Sequence, residues 1–497
     1  MTPMSGSINM ALPKAFQIMP VELNQEIAHY LDEDKDVVSF RASCRRARDS
    51  IDDQDSFWHK RFGMVYDHDR RLAYGPGINT SLRKAYQVRK DVLRDGVGFS
   101  KGKTKKERDA IAVLIDMIRE SFEGGSFDDA DGLTSCGNLK EICSFAKRSN
   151  LLDSIFCGRS QMTHNGKVVD FRLDQDLVAV QLMLAPLILN PKDYRRPLNF
   201  ADSQKVVYSN DGLMTMWKNG TVELNLEWLL HMLNFFKFHM VGDDNTLKDP
   251  MSELDSKQMP QFWKRKLTNA PVPLGRRWMG TYAYLDREEM AQLRRGNIDR
   301  NLFMDKNVDH GESAIQTLRI DFDGPMDFEW PDLFEEHLES QTLPHPPTHS
   351  RVQHRAHTDH DGEASRTTNV GLKSHRFQAR GFDDEDFYGT GWVNQLPAQR
   401  GIPGWQRITM MKYFKDEEDD GGFDTTALWA YEGVVLPGGQ VILGRWWSPE
   451  VGVPDDEKYS GPFIFWNVDE SEYPLLGVDE SEEEDEDEDE DEDKDEE

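Results

Sequence analysis

The sequence predicts an α+β chain: short helices and a helical region in the N-terminal half, followed by a mostly antiparallel, β-barrel-like C-terminal domain. Three observations carry this. Apolar residues recur at helical spacing up to about residue 240, the periodicity turns to alternation after Pro271, and the alternating segments number eight, enough to close a sheet. Closure removes the exposed edges that such apolar strands would offer to other chains.

Residues 1–15 predict a disordered N-terminus. The first ordered segment, 16–64, opens at Met19-Pro20, where proline at a first helical position loses nothing because that N–H has no partner. Leu23, Ile27, Tyr30 and Leu31 follow at i, i+4, i+7, i+8. After an acidic break at 32–36 comes a second stripe of Val37, Phe40, Cys44 and Ala47, then a third helix with Phe57, Trp58 and Phe62. Three short helices cannot bury all of these faces on each other, so some apolar surface is left for a partner.

This pattern, Met19-Pro20-x-Glu22-Leu23-x3-Ile27-x2-Tyr30-Leu31 with Ser43-Cys44-Arg45 and a later Trp58, resembles an F-box, with Met19 in place of the usual leucine. The resemblance implies docking on a Skp-type adaptor, and through it a cullin, in an SCF ubiquitin ligase. It implies adaptor contacts from Pro20, Leu23, Ile27, Leu31, Val38 and Trp58. A plain helical subdomain packed on its own chain is the competing account.

Residues 65–270 predict a mainly helical region. Tyr86, Val88, Val92 and Leu93 lie among basic residues, and Ile111, Leu114, Ile115 and Ile118 repeat at helical spacing beyond a hinge at Lys101-Gly102-Lys103. The basic cluster at 101–108 suits a solvated helix entry better than an anion site. A wide stripe at 221–240 (Leu226, Leu229, Leu230, Leu233, Phe236, Met240) predicts a core helix; His231 and His239 on it lack a third ligand for a metal.

Residues 271–470 predict the barrel-like domain, with strands at 278–285, 315–322, 374–380, 387–393, 406–414, 428–436, 440–447 and 462–466. If Pro437-Gly438-Gly439-Gln440 is a turn, Leu436 faces Val441, Val434 faces Leu443, Glu432 faces Arg445 as an ion pair, and Tyr431 opposes Trp446 on the other face. A disordered loop is expected at 339–369, with His345, His349, His354, His357 and His360; its composition favours adventitious metal binding at most. The acidic run Asp383-Asp384-Glu385-Asp386 suits a solvated loop.

The segments Gly401-Ile402-Pro403-Gly404-Trp405, Trp429-Ala430-Tyr431-Glu432-Gly433, Leu436-Pro437-Gly438-Gly439 and Gly444-Arg445-Trp446-Trp447 resemble the C-terminal region of fungal F-box domain-containing proteins. Trp278-x-Gly280-Thr281-Tyr282 opening an antiparallel set is similar to F-box receptors with a calycin-like barrel. A small barrel's mouth or lumen is the default recognition site, with Trp392, Trp405, Tyr431, Arg445 and Trp446 as substrate-binding candidates. Arg445 either grips a substrate carboxylate or neutralises Glu432, and the tryptophans are either pocket or core.

The net charge is −31, and 479–497 supplies −16 of it, a disordered acidic tail within 471–497; the remaining −15 still disfavours nucleic-acid phosphate. Four cysteines (Cys44, Cys136, Cys143, Cys157), none in a Cys-x2-Cys pair, suggest a reducing compartment. No signal pattern opens the chain. The run 177–189, interrupted by Gln181 and Pro186, is too short for a bilayer, so the expectation is a cytoplasmic or nuclear protein without membrane contact. No phosphate loop, Gly-x-Ser-x-Gly elbow, His-Glu-x2-His or paired Cys-x2-Cys occurs. The expected function is a non-catalytic substrate-recognition subunit of an SCF E3 ubiquitin ligase, without cofactor or metal. The alternatives are a barrel binding a small apolar ligand and a nuclear factor that captures basic proteins through its acidic tail.

Overall fold

The computed structural model describes residues 19–52, 56–69, 76–94, 98–123, 127–128, 134–152, 163–164, 167–168, 173–191, 200–209, 216–218, 223–241, 247–270, 274–295, 314–322, 374–415, 423–424, 426–449 and 458–469. The histidine-rich loop, Cys157 and the acidic tail lie outside them. The chain divides into two compact units, 1–96 with 120–145 and 97–119 with 146–497.

The first unit is helical: α1 (Val21–His29), α2 (Asp34–Ser43), α3 (Arg45–Ile51), α4 (Phe57–Gly63) and α5 (Pro76–Arg94), joined by most of α7 (Gly137–Arg148). α6 (Lys105–Glu120) lies almost wholly in the second unit. Pro20 takes the N-cap rather than the first helical position, and its carbonyl accepts the Asn24 amide. The expected single second helix is two. Cys44 turns extended (φ −158°, ψ 165°) and its Sγ accepts the Ala47 N–H, which ends α2 and caps α3. Phe57, Trp58 and Phe62 of α4 are buried, with Trp58 set against Tyr86 of α5. Asp67 fixes the start of α7 by accepting from the Gly137 amide at 3.1 Å and the Cys136 thiol at 2.7 Å.

In the second unit, Gly102 adopts φ +76°, and the loop it forms closes on Glu107. This carboxylate accepts backbone N–H groups from Ser100, Lys101, Gly102 and Thr104, and the Thr104 hydroxyl accepts the Glu107 amide in return. That reciprocal capping box starts α6, so the basic run is indeed a helix entry. Further on, α8 (Gln175–Met183), α9 (Ala185–Ile188), α10 (Phe200–Tyr208) and α11 (Leu226–Val241) form a helical layer, followed by α12 (Lys248–Glu253) and α13 (Arg287–Arg295). α11 is buried on nearly every side; its His231 meets the Ser203 hydroxyl at 3.2 Å and its His239 sits among Phe200, Phe235 and Phe238. Among the described residues no helix is long and apolar enough to cross a membrane, and no cluster of three metal-ligating side chains occurs.

Eight strands close into an antiparallel barrel: β1 (Arg277–Tyr282), β2 (Gln316–Asp321), β3 (Ser374–Phe382), β4 (Asp386–Gln395), β5 (Gln406–Tyr413), β6 (Trp429–Val435), β7 (Val441–Trp447) and β8 (Ser460–Asn467). Each strand pairs with the next, and β8 pairs with β1 to leave no edge. All eight fall where the alternation places them. The β6–β7 hairpin has the expected register, Glu432 opposite Arg445 and Tyr431 opposite Trp446. Its turn carries Gly438 at φ +96° after Pro437, with the Gly439 amide donating to Leu436 O at 3.0 Å, the arrangement of a type II turn.

Alternation divides the barrel residues. Trp278, Leu318, Ile320, Phe377, Phe387, Val393, Ile408, Met410, Tyr431, Val435, Ile442, Trp446, Phe463 and Phe465 fill one core, the lumen. The opposite face of β5 to β7 carries Arg407, Glu432 and Arg445, beneath the layer in which α11 packs on β7 and α10 on β8. There the ion pair differs from expectation: Glu432 pairs with Arg407 at 2.8 Å and accepts the Trp217 indole N–H, while Arg445 donates to the Ser209 carbonyl. Arg407 lies diagonally across from Glu432, close enough for a long side chain to take the carboxylate.

Candidate functional site

Two features stand out, one in each unit. In the first, α1 is turned inside out relative to its pattern. Its buried residues are Asn24, Gln25, Ala28 and His29. The Gln25 amide donates to the Ser50 carbonyl of α3 at 3.0 Å, and His29 stacks on Phe57 with ring centroids 4.7 Å apart. Burial, and secondarily Lys60, hold the His29 imidazole down at about 4, so it is neutral at physiological pH. The apolar stripe faces away: Leu23 is 53 % exposed and Tyr30 79 %, with Ile27 and Leu31 half-buried. On α2, Val38 is 63 % exposed while its neighbour Val37 is buried. Arg61 of α4 sets the α1–α2 connection, donating to Leu31 O at 2.9 Å and Asp34 at 3.0 Å. Pro20 is exposed, but Trp58 is in the unit's own core, against Phe57, Tyr86 and the Arg83 guanidinium. Its ring is therefore not presented with the others.

The second feature is the mouth of the barrel at the end carrying the β3–β4 hairpin, a cavity of about 370 Å³. Its wall is aromatic. Trp446 lies 5.3 Å from Trp429, 5.2 Å from Tyr459 and 6.2 Å from Tyr282 between ring centroids, and its indole N–H donates to Ala283 O. Tyr284, Phe414 and Tyr431 complete the wall. Lys412 projects from β5 opposite Trp429 and is almost fully buried, its ammonium 4.1 Å from the Phe387 centroid and 5.2 Å from that of Phe414. The hairpin tip bends Asp383 onto it as an ion pair with both side chains under a tenth exposed. Burial lowers the Lys412 pKa, with Asp383 opposing. Asp384, at φ +83°, and Glu385 stay exposed on the rim.

Of the five substrate candidates, the cavity gathers Tyr431 and Trp446. The others lie elsewhere. Trp392 packs in the outer cluster with Met411, Ala430 and Trp447 because its strand parity is opposite to that of Val393. Trp405 is sealed before β5, donating to Ile402 O, and Arg445 belongs to the outer face by the same register that puts Trp446 inside. Lys412, Asp383 and Trp429 are the residues that sequence reasoning passes over. The acidic tip was expected to be wholly solvated, whereas its first carboxylate is buried on Lys412. Alternation sets Lys412 on one face with Ile408 and Met410, but only closure of the barrel makes that face the lumen.

No family model, curated protein or solved structure matches the chain.

Proposed function

We propose that the chain is a substrate-recognition subunit of an SCF-type E3 ubiquitin ligase, non-catalytic itself. In this reading α1 to α4 form an F-box that docks on a Skp-type adaptor, and the calycin-like barrel takes the substrate. The observation that carries the reading is the exposure of Leu23 on α1 and Tyr30 at its C-cap, while α1 turns Gln25, Ala28 and His29 inward, together with Val38 on α2, which turns Val37 inward. Apolar side chains left in water beside one another are what a docking surface for another protein would use. Holding a substrate beside ubiquitin-transfer machinery needs no chemistry from the receptor, since proximity alone contributes several kcal/mol to a transfer step. The test is affinity purification of the intact tagged chain. Recovery of a Skp-type adaptor and cullin is expected; their absence under conditions that preserve other complexes rejects the reading.

A second reading, a barrel that holds a small ligand, draws on the mouth cavity, whose volume is in the range of ligand pockets (~300–1,000 Å³). Native mass spectrometry of the purified chain distinguishes it by a bound mass that survives desalting.

A further inference from the structure

The barrel mouth combines two features that select one sign of charge. Its lining holds three carboxylates, Asp383, Asp384 and Glu385, against a single ammonium, Lys412. Ring faces surround that ammonium: Phe387, Phe414 and Tyr282 lie 4.1, 5.2 and 5.8 Å from Lys412 Nζ. A cation therefore already rests in the cup, held by the electron-rich ring faces and by Asp383. An anion entering the cup meets a surplus of negative charge, and a neutral apolar ligand gains nothing from the rim.

We propose that the barrel mouth binds a basic segment of polypeptide, one arginine or lysine side chain entering the aromatic cup while neighbouring basic residues meet Asp384 and Glu385 on the rim. The chain's net charge of −31 favours the same partner by raising its local concentration. The cup favours arginine or lysine over a compact cation because the aliphatic stem of the side chain packs along Trp429, Trp446 and Tyr431 while the head keeps its charge pairing. The exposed carboxylates favour a peptide over a lone side-chain analogue, since they lie outside the cup and can be matched only by a second charge on the same ligand. Entry sets the incoming cation in competition with Lys412 for Asp383. The internal ammonium is a built-in competitor, and removing its charge strengthens capture.

As a statement about substrate, the inference rests on the receptor reading. The test uses the full chain without adaptor, so failed adaptor recovery and failed peptide binding are separate results. The probe is a fluorescent, end-capped peptide, Gly-Arg-Lys-Arg-Gly, titrated by anisotropy at two salt concentrations, with Gly-Glu-Asp-Glu-Gly and N-acetyl-arginine amide as controls. The basic peptide is expected to bind more weakly at high salt, and the acidic peptide not at all. Asp384→Asn/Glu385→Gln should weaken binding at least tenfold. Both positions are exposed, and asparagine tolerates the left-handed backbone at 384, so folding is not at stake. Lys412→Met should tighten binding at least tenfold. Unchanged binding in the rim variant places the peptide on another acidic stretch of the sequence, such as 479–497, and overturns the proposal. Weaker binding in a folded Lys412→Met chain overturns it too, as does equal affinity for N-acetyl-arginine amide, which would leave a small-cation site in place of a peptide site.

Discussion

Replacing the outward residues of α1, its C-cap and α2 together, Leu23→Ser/Tyr30→Ser/Val38→Ser, separates a docking surface from a structural one. Their exposures of 53, 79 and 63 % leave about two side-chain equivalents of apolar surface for a partner to cover, at ~1.5–3 kcal/mol each. Adaptor binding should weaken by about 3–6 kcal/mol, two to four orders of magnitude in Kd. The buried remainder amounts to about one side-chain equivalent, so folding should lose only ~1.5–3 kcal/mol, within reach of an ordinary domain's stability. The assay is biolayer interferometry on immobilised adaptor, with thermal unfolding of each variant alongside. Val88→Ser, at a 44 % exposed residue on α5, serves as control and should leave binding unchanged. A triple variant that unfolds cooperatively and binds within threefold of the unmodified chain refutes the docking argument.

Other perturbations test the supports of the two features. Glu107→Gln should cost ~2–4 kcal/mol, because a carboxylate that accepts four backbone N–H groups becomes a neutral amide. Burial raises the Glu107 pKa, but the hydrogen bonds from Ser100, Thr104 and Gly102 outweigh it and hold the group down at about 2. Its contribution is thus present above the ordinary value of 4.5 and lost as pH falls towards 2, and thermal midpoints of the Gln variant should be flatter across that interval. His29 behaves alike at higher pH: with the folded value near 4 against 6.5, stability from the neutral ring is complete above 6.5 and is lost on acidification towards 4. His29→Phe keeps the stack on Phe57 and should remove that acid sensitivity, read by far-ultraviolet circular dichroism across the same pH interval. At the barrel mouth, Lys412→Met or Asp383→Asn alone should cost ~3–5 kcal/mol, and the double replacement much less, as a denaturant double-mutant cycle would record. Gly444→Ala should destabilise the barrel by several kcal/mol, about the upper range for overpacking, since the added carbon would lie 2.3 Å from the Glu432 carbonyl oxygen and 2.5 Å from Phe463.

The barrel was legible because alternation and turn chemistry agree. Pro437-Gly438-Gly439 fixes the β6–β7 register, and that register assigns Tyr431 and Trp446 to one face and Glu432 and Arg445 to the other. Which face becomes the lumen is not decided within the hairpin, because both carry aromatic residues; it is decided by closure of β8 on β1, a pairing of Phe463 with Tyr282 far apart in the chain. For that reason Arg445 and Trp392 were grouped with the lumen residues although their parity excludes them. Lys412 was hidden for a related reason: a lysine between Met411 and Tyr413 reads as solvent-facing until an acidic hairpin from another strand pair is known to fold over it. The helices posed the opposite problem. Leu23, Ile27, Tyr30 and Leu31 form a stripe that local periodicity assigns to a core, yet the fold buries Gln25 and His29, bonding the first to the Ser50 carbonyl and stacking the second on Phe57. Where pattern and fold disagree in this way, apolar side chains are left in water, and a mismatch of that kind is where a functional surface is expected.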